Sequence, residues 1–398
     1  MMVSSQARIA VLLLTALSFG SMGCGSSSPG TSTDVGTMLD SSSPDSRSPD
    51  LAPSADLSAL DSAADLPGTS DGATGDTASG DGGLPPGFVR TPVNATTSAL
   101  CAIPADYVKN GGDPVSPPCD FAADRFSVTD YTQPVTSLRV VTWNVEYGKK
   151  SADVLAALQS DPLLTSADVL LLQEVSRRDK QSVPPQLDQA RQLAQALKMN
   201  YVAAIEWDRR EKSDQGGEHL LAILSKYPLG NATLLRHAPQ WNFWLEKKHY
   251  GGRATLGVDV AVGGRRLRIY NVHRATRDVT GNGRAKQGAE VRADAAKPGR
   301  PALQLVGGDF NTFLCNPAIL TCNEPPSAEK VIKEFLAAGY TDLTPGFNSW
   351  TQLGIGVFPQ RLDWLFAKGA GLTPQTHQVL QAIKAADHVP VVAVVKLP

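Results

Sequence analysis

From about residue 138 to the end, short apolar runs alternate with stretches whose apolar positions recur three and four residues apart. Leu138-Arg-Val-Val-Thr-Trp143 predicts a buried strand, Ser151 to Gln159 a helix, and Asp168 to Leu172 a second strand. A helix from about Gln186 to Leu197 follows. Further strands are predicted near Tyr201–Ile205, Leu220–Ser225, Ala254–Val262, Arg266–His273, Leu303–Gly307, Asp363–Phe366 and Val389–Val395, with helices near Ala285–Ala295 and Ala328–Ala338. Many strands mixed with intervening helices imply a layered α/β or α+β domain. No repeat of solenoid period interrupts the pattern.

Upstream the pattern disappears. Gly25 to about Gly87 is Ser, Asp, Pro, Gly, Thr and Ala with almost no aromatic residue. Such a segment cannot bury enough apolar surface to offset its ordering entropy, so it reads as a disordered tether. Before it, Arg8 and the apolar run Ile9–Leu17 fit a signal peptide over residues 1–23; the run is too short to span a bilayer, which takes about 20 apolar residues. Residues 88–136 carry aromatics among prolines and read as an irregular lead-in, which leaves 137–398 as the main folded domain.

Charge and cysteine sharpen this division. The formal charge of −2 hides a first segment, residues 1–119, with four Lys/Arg and twelve Asp, and a remainder with thirty-three basic and twenty-seven acidic residues. Ser21-Met-Gly-Cys24 resembles a bacterial lipoprotein cleavage box, although Leu is usual where Ser21 stands and a small residue where Met22 stands. A lipidated Cys24 would place the protein on the outer membrane or cell surface; without lipid it would be periplasmic or secreted. The other four cysteines group as Cys101 with Cys119 and Cys315 with Cys322, one of three connectivities, and an oxidising compartment suits disulfides. Free buried thiols are the alternative. Neither pair has zinc-site spacing.

The chemistry is concentrated at strand ends, where a buried sheet delivers side chains with little freedom to move. Asn144 and Glu146 follow the first predicted strand and Gln173 and Glu174 the second. His273 ends another, Asp309 and Asn311 follow Leu305-Val-Gly-Gly308, Asp363 lies in Arg361-Leu-Asp-Trp-Leu-Phe366, and Asp387-His388 precedes the last strand. Six strand termini carry such groups, more than the solvation of loop ends would produce, and a hard cation such as Mg²⁺, which prefers one or two carboxylates plus water and other oxygens, suits them.

Taken in order, Thr142-Trp-Asn-Val-Glu146, Leu172-Gln-Glu-Val175, Ala222-Ile-Leu-Ser-Lys-Tyr-Pro228, Asn271-Val-His273, Gly308-Asp-Phe-Asn311, Arg361-Leu-Asp-Trp364 and Ala386-Asp-His-Val-Pro390 resemble the endonuclease/exonuclease/phosphatase superfamily. The resemblance implies an α+β, DNase I-like, four-layer α/β/β/α sandwich of two mixed sheets, and attack of water in line on phosphorus. It assigns Glu174 to the metal, Mg²⁺ with Mn²⁺ or Ca²⁺ as alternatives, with Asn144 and Asp387 beside it. Asp309 and Asn311 would position water and stabilise the transition state. His388 would be oriented by Asp363, and His273 would donate to phosphate or leaving oxygen. Glu146 stands where abasic-site endonucleases have a second acid, Glu218 is offered as the acidic partner of His273, and Arg253 reads as structural.

The substrate is less sharply indicated. Residues 265–300 hold ten Lys/Arg against three Asp/Glu, and a basic rim would gather polyanions such as nucleic acid. The alternative is a solvated loop and helix face. Trp241, Phe243 and Trp244 with Lys247, Lys248, His249 and Tyr250 could stack bases, lean on lipid or pack on the domain. A nuclease-like phosphodiesterase ranks first. A sphingomyelinase-like phospholipid phosphodiesterase and a phosphomonoesterase follow. A non-catalytic surface-binding module would be expected to lack one of Glu174, His273, Asp309 or His388, and all four are present. The enzyme is expected to be a monomer that meets a membrane only through its lipid.

Overall fold

The computed structural model describes residues 84–92, 101–102, 120–127, 129–178, 187–208, 217–238, 250–276, 282–312, 329–346, 350–352 and 361–398, with 101, 102 and 250 as backbone alone. The signal segment, Cys24, most of the tether, the loop from Trp241 to His249, and Cys119, Cys315 and Cys322 lie outside the described residues, so the lipid and disulfide expectations do too. Among the described residues no helix is long and apolar enough to cross a membrane.

Every predicted strand and helix is present, with ends moved by a few residues, and the strands assemble into two mixed sheets. The seven-stranded sheet runs in the order β1 (Cys101–Ala102), β7 (Leu229–Arg236), β9 (Ala254–Val262), β10 (Arg265–His273), β11 (Leu303–Asp309), β13 (Asp363–Lys368) and β12 (Thr341–Asp342). The eight-stranded sheet runs β14 (Thr373–Val379), β15 (Val391–Lys396), β3 (Ser137–Asn144), β4 (Val169–Arg177), β6 (Glu218–Ser225), β5 (Asn200–Asp208) and β2 (Phe121–Asp124), with β8 (Tyr250–Gly251) also paired to β5. The lead-in is therefore not wholly irregular: it supplies β1 and β2, an edge strand for each sheet.

Three apolar clusters fill three interlayer spaces. Between the sheets, Leu138, Val140, Val169, Leu171 and Ile223 meet Leu256, Val258, Leu267, Ile269, Leu305 and Leu365. Outside the eight-stranded sheet, Val141, Trp143, Leu170 and Leu172 pack on α1 (Ser151–Ser160), α2 (Pro162–Thr165) and α3 (Gln189–Ala196) through Val154, Leu158, Leu164 and Leu193. Outside the other sheet, Tyr270, Val272, Val306 and Phe366 pack on α4 (Asn282–Ala295) and α5 (Lys330–Ala337) through Val291, Val331 and Phe335. The result is the four-layer sandwich. Strand alternation accounts for it, since successive side chains on β3, β4, β10 and β11 go alternately to the inner and outer clusters.

Two features lock the sheets together near their polar ends. Gln173 Nε2 donates to Asn271 Oδ1 across the interface at 2.6 Å, and Asn271 Nδ2 donates to the carbonyls of Leu172 and Ala222 at 2.8 and 2.9 Å. A buried amide pair of this kind fixes register, because any slip would leave desolvated polar groups unpaired. The second feature is the pair Gly307-Gly308. A Cβ at 307 would meet Leu365 Cδ2 and Leu171 Cδ1 at 2.4 and 2.7 Å, and Gly308 has φ 140°, with a Cβ there 2.0 Å from Val272 O. Only glycine permits that approach just before Asp309.

Candidate active site

Alternation carries polar residues to one edge of the inter-sheet core. On β3 the inward positions Leu138, Val140 and Thr142 end at Asn144, and on β5 Val202 and Ala204 lead to Glu206. On β10 Leu267, Ile269 and Asn271 lead to His273, and on β11 Leu305 and Gly307 lead to Asp309. Register aligns the last pair: His273 is opposite Asp309 in the parallel ladder, and Asp309 is opposite Asp363 in the antiparallel one. Three neighbouring strands thus present imidazole, carboxylate and carboxylate in a row.

Glu174 reaches the same place by breaking the alternation. The β4–β6 register shifts between Leu172 and Val175, and Glu174 within that bulge has φ 55°. Bulges re-aim a side chain at the cost of a strained backbone, and such strain collects at functional sites. Asn311, with φ 49°, is a second case.

Asp309 is the hub. Its Oδ1 accepts from the Asn311 backbone N–H at 2.8 Å and its Oδ2 from Asn144 Nδ2 at 3.2 Å. His273 Nε2 lies 3.6 Å and His388 Nε2 3.8 Å from the same Oδ2. His388 Nδ1 donates to Asp363 Oδ2 at 2.8 Å, and the His388 carbonyl is held by Trp143 Nε1 at 3.0 Å. Burial disfavours a charge on His388, but Asp363 and Asp309 together outweigh it and lift its pKa to about 10. His388 is an imidazolium at neutral pH.

His273 has the opposite character. Burial, reinforced by the Arg253 guanidinium, pushes its pKa well below the usual histidine value, so the ring is neutral. Its Nδ1 is 2.9 Å from Glu206 Oε2, and Arg253 Nη1 lies 2.7 and 2.6 Å from the two ring nitrogens while pairing with Glu206 Oε1 at 3.3 Å. The acidic partner of His273 is therefore Glu206 and not Glu218, which is occupied by Arg177 Nε at 2.5 Å. Arg253 is more than a structural arginine ahead of a strand: it stands against the site histidine.

The two amides are already partly engaged. Asn144 Oδ1 accepts from the Glu146 N–H at 3.2 Å, which leaves its second lone pair for a cation, while Nδ2 holds Asp309. Asn311 Nδ2 donates to the Arg274 carbonyl at 3.0 Å, which leaves one amide hydrogen for a substrate oxygen. Glu146 sits at the rim, paired with Lys149 at 2.7 Å.

Which residues fit a divalent cation follows from their unmet needs. Glu174 is buried and accepts no hydrogen bond among the described residues; burial, then partly opposed by Arg253 and helped by Asp387, raises its pKa to about 8. Asp387 is raised chiefly by burial as well, and its Oδ1 is buried without a hydrogen-bond partner. Two desolvated carboxylates that repel each other are what a hard cation compensates. Asp309, Asp363 and His388 also bring ligand atoms within 4.8 Å of one another and could hold an ion. In that group His388 bonds one Asp363 oxygen and offers no lone pair when protonated, whereas the other Asp363 oxygen is buried without a hydrogen-bond partner.

Among the described residues of the basic stretch 265–300 most side chains are paired with acids, while Lys286 is exposed and Arg265 bonds carbonyls. Arg266 and Arg268 pair with Asp259, Arg284 with Glu329, Arg292 with Glu334, and Lys297 and Arg300 with Asp294. Arg274 is buried, with Nη1 2.7 Å from His237 Nε2, and His237 Nδ1 lies 2.6 Å from Glu290. Burial and Arg274 push the His237 pKa down to about 4. A histidine kept neutral in the fold and protonated in the unfolded chain stabilises above about pH 6.5 and loses that stability as pH falls through about 4. Thermal midpoints are expected to decline over this window in the wild type and less steeply in His237→Gln; equal slopes would contradict the neutral assignment.

Glu206 was missed although it directly follows the predicted strand Tyr201–Ile205, the placement that singled out Asn144 after Trp143.

No curated protein gives a significant match to the chain. Among solved structures, an endonuclease/exonuclease/phosphatase from Beutenbergia cavernae is similar at 18% identity over 66% of this chain and 72% of that one, with TM-score 0.48. The human Nocturnin catalytic domain with bound sulfate is 16% identical over 70% and 97%, TM-score 0.47, and sphingomyelinase C from Streptomyces griseocarneus 14% over 65% and 99%, TM-score 0.44. The profile of the Endonuclease/Exonuclease/phosphatase family matches residues 141–388, which takes in every site group from Asn144 to His388, and the chain belongs to that family.

Proposed function

We propose that this protein is a divalent-metal-dependent phosphodiesterase that drives water in line onto phosphorus. Members of its family are typically hydrolases of phosphoester bonds. The observation that carries the finer reading is the row His273, Asp309, Asp363 completed by His388, in which one carboxylate is shared between a neutral and a charged imidazole.

Asp309 is held at both oxygens, so its carboxylate is pre-aimed to orient a water and take its proton. His388, charged and fixed by Asp363, directs Nε2–H toward a phosphate oxygen and meets negative charge as it develops. The remaining Asn311 amide hydrogen can do the same. His273, braced by Glu206 and Arg253, presents Nε2 beside Glu174. A divalent cation held by Glu174 and Asp387 would neutralise phosphate charge and stabilise the leaving oxyanion.

The test is a panel run on the purified full chain with Mg²⁺ and with EDTA: bis-p-nitrophenyl phosphate, p-nitrophenyl phosphate, DNA, RNA and sphingomyelin. Turnover of a diester that EDTA abolishes is expected. Preference for p-nitrophenyl phosphate would favour the phosphomonoesterase, and preference for sphingomyelin the phospholipid enzyme. Activity no greater than that of Asp309→Asn on all five would leave only a binding module.

A further inference from the structure

Arg274 follows His273 and continues the outward face of β10, where Tyr270 and Val272 pack beneath α4 and α5. Its side chain is wholly buried, with Cζ 5.8 Å from the centre of the Phe310 ring. Among the described residues the guanidinium forms no ion pair. Nη1 meets the neutral His237 at 2.7 Å, and Nε and Nη2 are buried without a hydrogen-bond partner. Burial of unpartnered N–H groups on a cation is costly, and an apolar side chain would fill this layer without that cost. The arginine calls for a reason other than packing.

Both ends of the residue are fastened. On the site side, the Arg274 N–H donates to the Asp309 carbonyl at 2.9 Å, and the Arg274 carbonyl accepts from Asn311 Nδ2 at 3.0 Å. On the outer side, His237 Nε2 also lies 2.9 Å from Thr255 Oγ1, and its Nδ1 lies 2.6 Å from Glu290 Oε2. The other Glu290 oxygen accepts from the Ala238 N–H at 3.0 Å. A chain of polar contacts thus runs from Glu290 on α4, through His237 and the guanidinium, to the peptide groups that hold Asp309 and Asn311.

We infer that Arg274 is a positioning residue: anchored to His237 and Glu290 outside the sheet, it fixes the carbonyl that aims the Asn311 amide at the substrate phosphate. The inference rests on the phosphodiesterase reading and adds to that site a support from the helical layer. One Asn311 amide hydrogen is spent on the Arg274 carbonyl, so the direction of the other is set by where that carbonyl stands. Asn311 also holds a left-handed backbone, φ 49°, which persists only where its surroundings over-determine it. Arg274 touches no reacting atom. A displaced donor loses the geometry on which transition-state stabilisation depends, and that is the route by which a side chain behind the sheet reaches the chemistry.

A double-mutant cycle separates positioning from mere packing. Steady-state kinetics of the full chain with Mg²⁺ and bis-p-nitrophenyl phosphate would compare wild type, Arg274→Met, Asn311→Ala and the double variant. Arg274→Met is expected to lower kcat about tenfold with little change in KM, and to keep or raise the melting temperature because it removes the unpartnered N–H groups. On top of Asn311→Ala the same substitution should cost roughly twofold or less, since the amide it aims is gone. Glu290→Ala breaks the chain at its partly exposed end and should also lower kcat, which keeps the test open if Arg274→Met does not fold. Unchanged kcat in the folded variant, or losses that simply multiply in the cycle, would overturn the inference and leave Arg274 a packing residue. A wild-type chain without turnover would instead overturn the hydrolase reading, and the inference with it.

Discussion

Asp309→Asn is expected to lower kcat by about 10²- to 10⁴-fold, the range for loss of a positioned general base, with a much smaller change in KM. The substitution is close in shape but not in hydrogen bonding. Asp309 accepts from the Asn311 N–H on one oxygen and from the Asn144 amide on the other. An Asn side chain has one acceptor and one donor, so its NH₂ must face a donor on one side. The base is lost and its aim is disturbed together. Steady-state kinetics with circular dichroism as a folding control would check this, and activity within tenfold of wild type would remove Asp309 from the mechanism.

His388→Ala is expected to remove a comparable factor from kcat and also to destabilise the fold by about 3–5 kcal/mol, as breakage of buried ion pairs does. Its partner Asp363 is fully buried, and one of its oxygens already lacks a hydrogen bond. Removal of the imidazolium would strand the carboxylate. Because the folded His388 pKa is raised to about 10, its stabilising contribution is full below about pH 6.5 and fades as pH rises through about 10. The wild type's advantage over the variant in urea unfolding should therefore narrow at alkaline pH. Asp363→Asn added to His388→Ala should restore stability without restoring turnover. Recovery of both would mean that the pair is only structural.

The parts legible in the sequence were those where local pattern and tertiary position agree. The buried strand Leu138–Trp143 announces itself because both faces meet apolar layers, and Ala254–Val262 because its inward positions, Ala254, Leu256, Val258, Val260 and Val262, are all apolar. Strand β7 does not, since Gly230-Asn231 looks like a turn and the chain bulges there, with Asn231 at φ 48°. Strand β14 is largely exposed and carries Pro374, which an edge position tolerates and a central one would not. The acids and imidazoles at strand ends were equally readable, but not which ends meet: Glu218 and Glu206 are alike in sequence, and only the β5–β6 pairing sends one to Arg177 and the other to His273. The pairing of the basic stretch was hidden for the same reason, because Asp259, Glu329 and Glu334, which pair with its arginines, lie outside the stretch that was counted.

The Gln173–Asn271 clamp acquires a further meaning from the way the site is divided. Asn144, Glu174 and Glu206 belong to one sheet, and His273, Asp309 and Asp363 to the other. Neither sheet carries the whole cluster, so a chain whose strands have formed but whose sheets have not docked has no assembled site. The docking step is the moment at which the site comes into being, and the amide pair beside it makes the correct docking the one that closes it.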